Sequence, residues 1–247
     1  MKPVYLVCGL LLFSLRAQAP TPVPLARGNT PGEPHHHLKI ENEYVRAYYV
    51  EVPPRGETQL HQHDNDYMFV TLGDSGVTNA VLGKPEVHLQ LKDGEVRFTR
   101  GGFAHVARNN SDAPFRNVTI EFLRPQGEAR NHCEKIVEGP LGECRPTQNR
   151  FMSGMSLFET GELVVGLYSL NPKAKFDLVS RYDGLVVALE QAQLEVAFPG
   201  KHPVQLRSGE IFWLRAASRH TLKNFAAAPS RYLLLLFTDT ASSPPKQ

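Results

Sequence analysis

The sequence predicts an all-β protein built as two tandem barrel or sandwich units, and three observations carry that prediction. Short runs rich in Val, Tyr, Phe, Thr and Leu alternate with turn residues along most of the chain. A stretch of the first half, Gly94–Phe122, lies over Gly209–Phe237 without a gap. No convincing amphipathic helical period interrupts either copy.

The first unit reads as strands at Tyr44–Val52, Tyr67–Leu72, Val87–Leu91, Val96–Thr99 and Asn117–Leu123. Turn clusters such as Gly73-Asp74-Ser75-Gly76 and Lys92-Asp93-Gly94 separate them. The second unit repeats the pattern at Leu163–Leu170, Leu185–Leu189, Leu194–Phe198, Ile211–Leu214 and Tyr232–Phe237. In the overlay Gly94, Glu95, Arg100, His105, Asn109, Ala113, Pro114, Arg116 and Phe122 recur at Gly209, Glu210, Arg215, His220, Asn224, Ala228, Pro229, Arg231 and Phe237. Chance would match roughly two positions at about 6% identity each, so the chain reads as an internal duplication. Its 247 residues suffice for one large or two small β domains with real cores.

The ends differ from this body. Lys2, an apolar run from Val4 to Leu15 and Ala17-Gln18-Ala19 read as a signal peptide over 1–19, too short for a comfortable membrane span. Pro20 disfavours cleavage there, so retention of the segment as an anchor stays open. Residues 20–38 read as a disordered linker and 241–247 as a Pro/Ser-rich tail. Between them the expected units are a barrel over 39–128, a linker over 129–155 and a second barrel over 156–240. Removing the leader takes Lys2 and Arg16 from 27 basic residues and no acid, leaving 25 against 25. That neutrality, with no basic run, excludes a nucleic-acid footprint or a polybasic membrane patch. The leader also removes Cys8 and leaves Cys133 and Cys144, an even pair in a Gly/Pro-containing stretch. A disulfide between them would stabilise the chain by about 3 kcal/mol and suits a periplasmic or secreted protein; two free thiols are the alternative.

The chemistry concentrates in His61-Gln62-His63 and His105. On a strand, residues two apart share a face, so His61 and His63 point the same way, and His105 follows a Gly101-Gly102 turn. Three converging neutral imidazoles form one face of a metal sphere and leave positions for water or substrate. These residues resemble the cupin family. Its second motif, G(x)5PxG(x)2H(x)3N, fits Gly94 through Gly102 and His105 to Asn109, with Arg100 in place of Pro. Its first, G(x)5HxH(x)3–4E(x)6G, fits less closely: Gly56 is one residue nearer the His pair, and Tyr67 or Met68 stands where the acid belongs. Asp66 is the nearest carboxylate, one residue early. The resemblance implies two tandem cupin-type jelly-roll barrels, metal ligands His61, His63 and His105, and Asp66 or Tyr67 as a further candidate.

The second copy lacks the His pair, since no His occurs between His132 and His202, so Phe176–Asp183 cannot rebuild a three-His site. His220 alone reads as structural, and the first barrel is the expected site of a divalent metal: Fe, Zn, Mn, Ni or Cu. Gln59, two residues before His61, and Tyr67 are the candidate catalytic side chains; Arg100, Arg108 and Arg116 are candidate rim cations for a carboxylate. His35-His36-His37 rank lower for want of an inward-facing partner on a predicted strand, His88 because it could face either way on its strand, and His132 for want of a second ligand pair. Cupins with three-His sites include iron-dependent thiol and diketone dioxygenases, so the resemblance implies a mononuclear metal enzyme, an oxygenase or isomerase on a small-molecule substrate. A non-catalytic metal or small-ligand binder and a metal-free structural protein are the alternatives. Tandem barrels form a pseudo-dimer in one chain, compatible with a monomer, and barrel edges also support a homodimer.

Overall fold

The computed structural model describes residues 28–238; the expected signal peptide and the 241–247 tail lie outside them. Within that span the chain is almost entirely strand and turn. The first barrel contains β1 (Gly28–Asn29), β2 (His36–Glu41), β3 (Val45–Val52), β4 (His61–His63), β5 (Tyr67–Thr71), β6 (Ser75–Val81), β7 (Val87–Leu91), β8 (Val96–Thr99), β9 (Phe103–Asn109) and β10 (Phe115–Phe122). They form two five-stranded sheets, ordered β1-β4-β9-β6-β7 and β2-β3-β10-β5-β8.

The second barrel contains β11 (Ala129–Asn131), β12 (Thr147–Gln148), β13 (Met152–Thr160), β14 (Leu163–Leu170), β15 (Lys175–Val179), β16 (Gly184–Ala188), β17 (Gln193–Ala197), β18 (Val204–Arg207), β19 (Ile211–Leu214), β20 (Arg219–Asn224) and β21 (Ser230–Phe237). Its sheets run β11-β13-β14-β21-β16-β19, with β12 beside β13, and β15-β20-β17-β18. Among the described residues no helix is long and apolar enough to cross a membrane.

Strand alternation assigns each side chain to one of two apolar layers. In β10, Val118, Ile120 and Phe122 join one large core with Leu233, Leu235 and Phe237 of β21. This core lies between the barrels, where the β2-β3-β10-β5-β8 sheet packs on the larger sheet of the second unit. Two arginines at duplicated positions clamp its margins: Arg231 reaches Asp93 (2.9 Å) and Arg116 reaches Glu190 (3.3 Å). Gly94 has φ +74° and lies so close to the Arg231 guanidinium that a Cβ would come within 2.3 Å of it. The duplicated Asn109 and Asn224 do a matching job. Each donates Nδ2 to three backbone carbonyls, of Val52, Pro53 and Ala113 or of Leu170, Asn171 and Ala228.

The predicted strands agree with the structure to within two residues at each end, but β2, β6 and β9 of the first barrel and β13, β15, β18 and β20 of the second go beyond them. β6 begins at Ser75-Gly76, inside a cluster that reads as a turn. The largest difference is at the front. Residues 28–38, expected as disordered linker, form β1, a 3-10 turn at Thr30–Gly32 and the start of β2. Pairing of β1 with β4 and of β2 with β3 satisfies their backbone groups, which composition alone does not register. The stretch 129–155 likewise belongs in part to the second barrel, since β11 and β12 both pair with β13. Cys133 and Cys144 are disulfide-bonded. Asn131 organises the loop they close, accepting from the Ile136 and Val137 amides and donating to Val137 O.

Candidate metal centre

β4 is only three residues long, yet it places both of its histidines. It pairs antiparallel with β9 so that His61 lies directly opposite His105. Gly101 and Gly102 make the tight entry into β9. A Cβ on Gly101 would come within 2.4 Å of the Asn65 backbone, and Gly102 has φ +90°. The ring centroids of His61, His63 and His105 stand 4.6–5.2 Å apart, and all three side chains are buried. His36, from β2 in the facing sheet, joins them with its ring centroid 4.8 Å from that of His61. Ligand atoms of His36, His61 and His63 lie within 4.8 Å of one another.

Each ring is held by its Nδ1. His61 Nδ1 donates to the Gln59 carbonyl (2.9 Å), His63 Nδ1 to Glu121 Oε1 (3.0 Å), and His36 Nδ1 to Glu33 Oε2 (2.6 Å). His105 Nδ1 meets Asn79 Oδ1 at 2.7 Å, with the amide oxygen turned toward the ring. Carboxylates and carbonyls supply no proton, so Nδ1 carries it and Nε2 keeps a lone pair. The Nε2 atoms of His61 and His105 then meet at 3.1 Å, lone pair to lone pair, an arrangement that an intervening cation relieves.

Burial pushes the His61 imidazole down to about 4 from its usual 6.5, with His36 the next contributor, and His105 down to about 2, with His61 and His63 adding to it. At His63 burial also lowers the value and Glu121 partly opposes it. At Glu33 and Glu121 burial works against ionisation. Bonds from His36 and backbone amides, and from His63 and Thr30, outweigh it and hold both carboxyls below their usual range. The His61, His63 and His105 rings are therefore neutral at pH 7, the form that binds metal.

The other expected residues fall elsewhere. The Tyr67 ring stacks on His63 with centroids 4.0 Å apart, so at the position of the usual acid the chain has an aromatic wall. Burial raises its phenol well above the ordinary value, keeping it protonated. Asp66 accepts from Arg100 (2.6 Å) and from the Gly101 amide (3.1 Å), which ties it to the turn before β9 and away from the imidazoles. The Gln59 side chain is exposed; what the residue brings to the site is its backbone, which accepts from His61 and donates to Glu33. Arg108 and Arg116 are paired with Glu57 and Glu190.

Three residues at the centre carry no expectation from the sequence, Glu33, Glu121 and Asn79, and a fourth, His36, ranks low there. The alternation of β10 carries a signal for Glu121, because Val118, Ile120 and Phe122 face the inter-barrel core and the intervening residues must face inward. His36 has no such signal. Counting back by twos from Ile40, which packs on the inter-barrel core, would send it outward. A bulge between Leu38 and Ile40 reverses the parity.

Beside the imidazoles lies a cavity of about 320 Å³, walled by β3, β6, β7, β8 and β10 and touched by Ile136 of the disulfide-closed loop. The fold is a double barrel with a buried histidine cluster inside one barrel. No protein-family profile matches the chain, and no curated protein does. Solved structures do match. AerE from Microcystis aeruginosa aligns with a TM-score of 0.59 at 11% identity, covering 84% of this chain and 99% of that one. Salicylate 1,2-dioxygenase from Pseudaminobacter salicylatoxidans gives 0.58 at 12% identity, covering 81% and 75%. A cupin 2 conserved barrel domain protein from Leptotrichia buccalis gives 0.52 at 12% identity, covering 82% and 88%. The likeness is one of fold: the chain shares its double-barrel arrangement with these structures, a cupin 2 barrel protein among them.

Proposed function

We propose that the first barrel binds one divalent transition-metal ion through Nε2 of His61, His63, His105 and His36, and that the protein is a metal-dependent enzyme acting on a small molecule in the adjoining cavity. The observation that carries this reading is the set of four imidazoles, each fixed through Nδ1, with ligand atoms of His36, His61 and His63 within 4.8 Å of one another and His105 Nε2 3.1 Å from His61 Nε2. Two buried carboxylates, Glu33 and Glu121, back the set with negative charge that suits a dication. An all-nitrogen donor set fits Fe, Zn, Mn, Ni or Cu. A bound ion would supply Lewis acidity and, if iron or copper, one-electron redox chemistry.

The chain's own part is to orient the rings, exclude water and present polar groups along the cavity. Tyr67 keeps its proton and offers a neutral hydroxyl on the wall beside His63. The likeness to salicylate 1,2-dioxygenase makes oxygen-dependent chemistry the first reaction to try, by analogy of fold. The Cys133–Cys144 bond and the signal-peptide pattern expected over 1–19 support a periplasmic or secreted location.

Elemental analysis of the full-length protein, purified from its natural compartment, tests the metal. We expect about one transition-metal ion per chain. A chain that stays metal-free after supplementation with each of the five ions would end the proposal. Oxygen uptake with a panel of small aromatic and diketone compounds tests catalysis; saturable binding with no product would make the protein a binder.

A further inference from the structure

The cavity wall is sorted by chemistry along the barrel. Imidazoles occupy one end. At the other, Val52, Val77, Leu91 and Phe115 belong to one buried apolar cluster. β10 runs between the two ends, and its inward residues Phe115, Asn117 and Thr119 follow at about 7 Å intervals, the rise of two strand residues. The Thr119 hydroxyl donates to Asn117 Oδ1 (2.8 Å), leaving the Asn117 amide hydrogens as a neutral donor midway.

Charge is what the wall lacks. Among the described residues that line the cavity, Arg97 is the one Arg or Lys and no Asp or Glu appears. Arg97 is half-exposed at the rim and already pairs with Glu95 through Nε and Nη2. Arg100, Arg108 and Arg116 do not line it, and each is engaged elsewhere: Arg100 with Asp66, Arg108 with Glu57 and Glu86, Arg116 with Glu190. An anionic group carried deep into this cavity would lose its water and meet no free cation. The volume is about twice that of the roughly 150 Å³ cavity that holds benzene, room for about a dozen non-hydrogen atoms. Half-exposed Val87 lines the cavity from the edge strand β7, opposite Asn79 at the imidazole end.

We propose that the substrate is an uncharged, mainly aryl or alkyl compound of about this size, with its oxygen-bearing end at the imidazoles and its apolar body against Phe115. The metal reading above sets the direction of binding; the neutrality of the body rests on the cavity wall alone. Two probes with one head group decide it: 4-tert-butylcatechol, whose body is neutral, and 3,4-dihydroxybenzoate, whose body is anionic.

Calorimetry on the zinc-supplemented full chain at pH 7.5 should show the neutral probe binding at least tenfold more tightly. Glu95→Gln frees Arg97, the one cation on the wall, which lies opposite Phe69 and away from the imidazoles, and should narrow the ratio to about threefold or less. Equal affinities, a preference for the anion, an unchanged ratio in Glu95→Gln, or binding of neither probe would each overturn the proposal. Zinc content, measured on the same sample, judges the metal site separately: a zinc-free protein that still prefers the neutral probe loses the metal reading and keeps this one.

Discussion

In the first barrel β10 turns Asn117, Thr119 and Glu121 inward; in the second, β21 turns Tyr232, Leu234 and Leu236 inward. The ladders pair the two barrels position by position. His61 faces His105 across β4 and β9, whereas Leu178 faces His220 across β15 and β20. Asn79 lies opposite Ala107, and Val196 opposite Leu222. His36 lies opposite Val50, and Gly154 opposite Tyr168, whose ring passes so close that a Cβ on Gly154 would come within 2.3 Å of it. Even the bulge in β2 has its counterpart, between Ser156 and Phe158 of β13.

The second barrel thus lacks both the imidazole cluster and the groups that orient it, and apolar side chains fill the space. His220 remains, buried with Phe198 and Phe212 about 6 Å away, its imidazole pulled down by burial. The comparison teaches that a metal site of this kind is two shells of residues, and that one scaffold carries either those shells or a packed core.

Several measurements would break or sharpen this contrast. The largest effect is expected at the ligands. Dividing the about 10–16 kcal/mol of a four-ligand zinc site among its donors gives about 3 kcal/mol each, so His61→Ala should weaken metal binding by roughly 100-fold or more. His220→Ala should leave metal content unchanged, and equal losses in the two variants would erase the distinction between the barrels.

Where the barrels agree, the effects should match. Asn109→Ala and Asn224→Ala each leave three carbonyls without their shared donor. Chemical denaturation should find each variant less stable by about 1–3 kcal/mol. A large effect at one site and none at the other would mean that the two turns are not equivalent.

Glu121→Gln keeps the shape at His63 but removes the charge. It should lower metal affinity by about 10–100-fold, measured by competition with a chelator, and wild-type affinity would deny Glu121 its role.

The acid response should come mainly from the first barrel. His61 and His105 have lowered values when folded, so the unfolded chain binds more protons below about pH 6.5 and stability falls as pH drops toward 4. In metal-free protein, His61→Phe should flatten that decline; an unchanged pH profile would place its origin elsewhere.

The smallest effect is a predicted absence. Leu178→His with Ser180→His restores three imidazoles around His220. Val196 and Leu236 still offer no acceptors, so elemental analysis should find no stoichiometric metal in the second barrel.

The legible part of this protein is what repeats. Gly94 and Gly209, Arg116 and Arg231, Asn109 and Asn224 recur because both barrels need the same turn, the same clamp and the same packing against each other. A gapless overlay therefore exposes the fold before any coordinates do. The His-x-His pair and His105 were legible too, because period two and a Gly-Gly turn are local facts.

Tertiary structure alone decided the rest. His36 and Glu33 arrive from a segment that composition marks as loose, ordered because β1 and β2 find partners far along the chain. Asp66 and Gln59 point elsewhere because an arginine and a short β4 claim them. Periodicity fixes which residues share a face of one strand. Which strands meet across a barrel, and where a bulge reverses the count, depends on contacts between residues dozens of positions apart, and no local pattern encodes those.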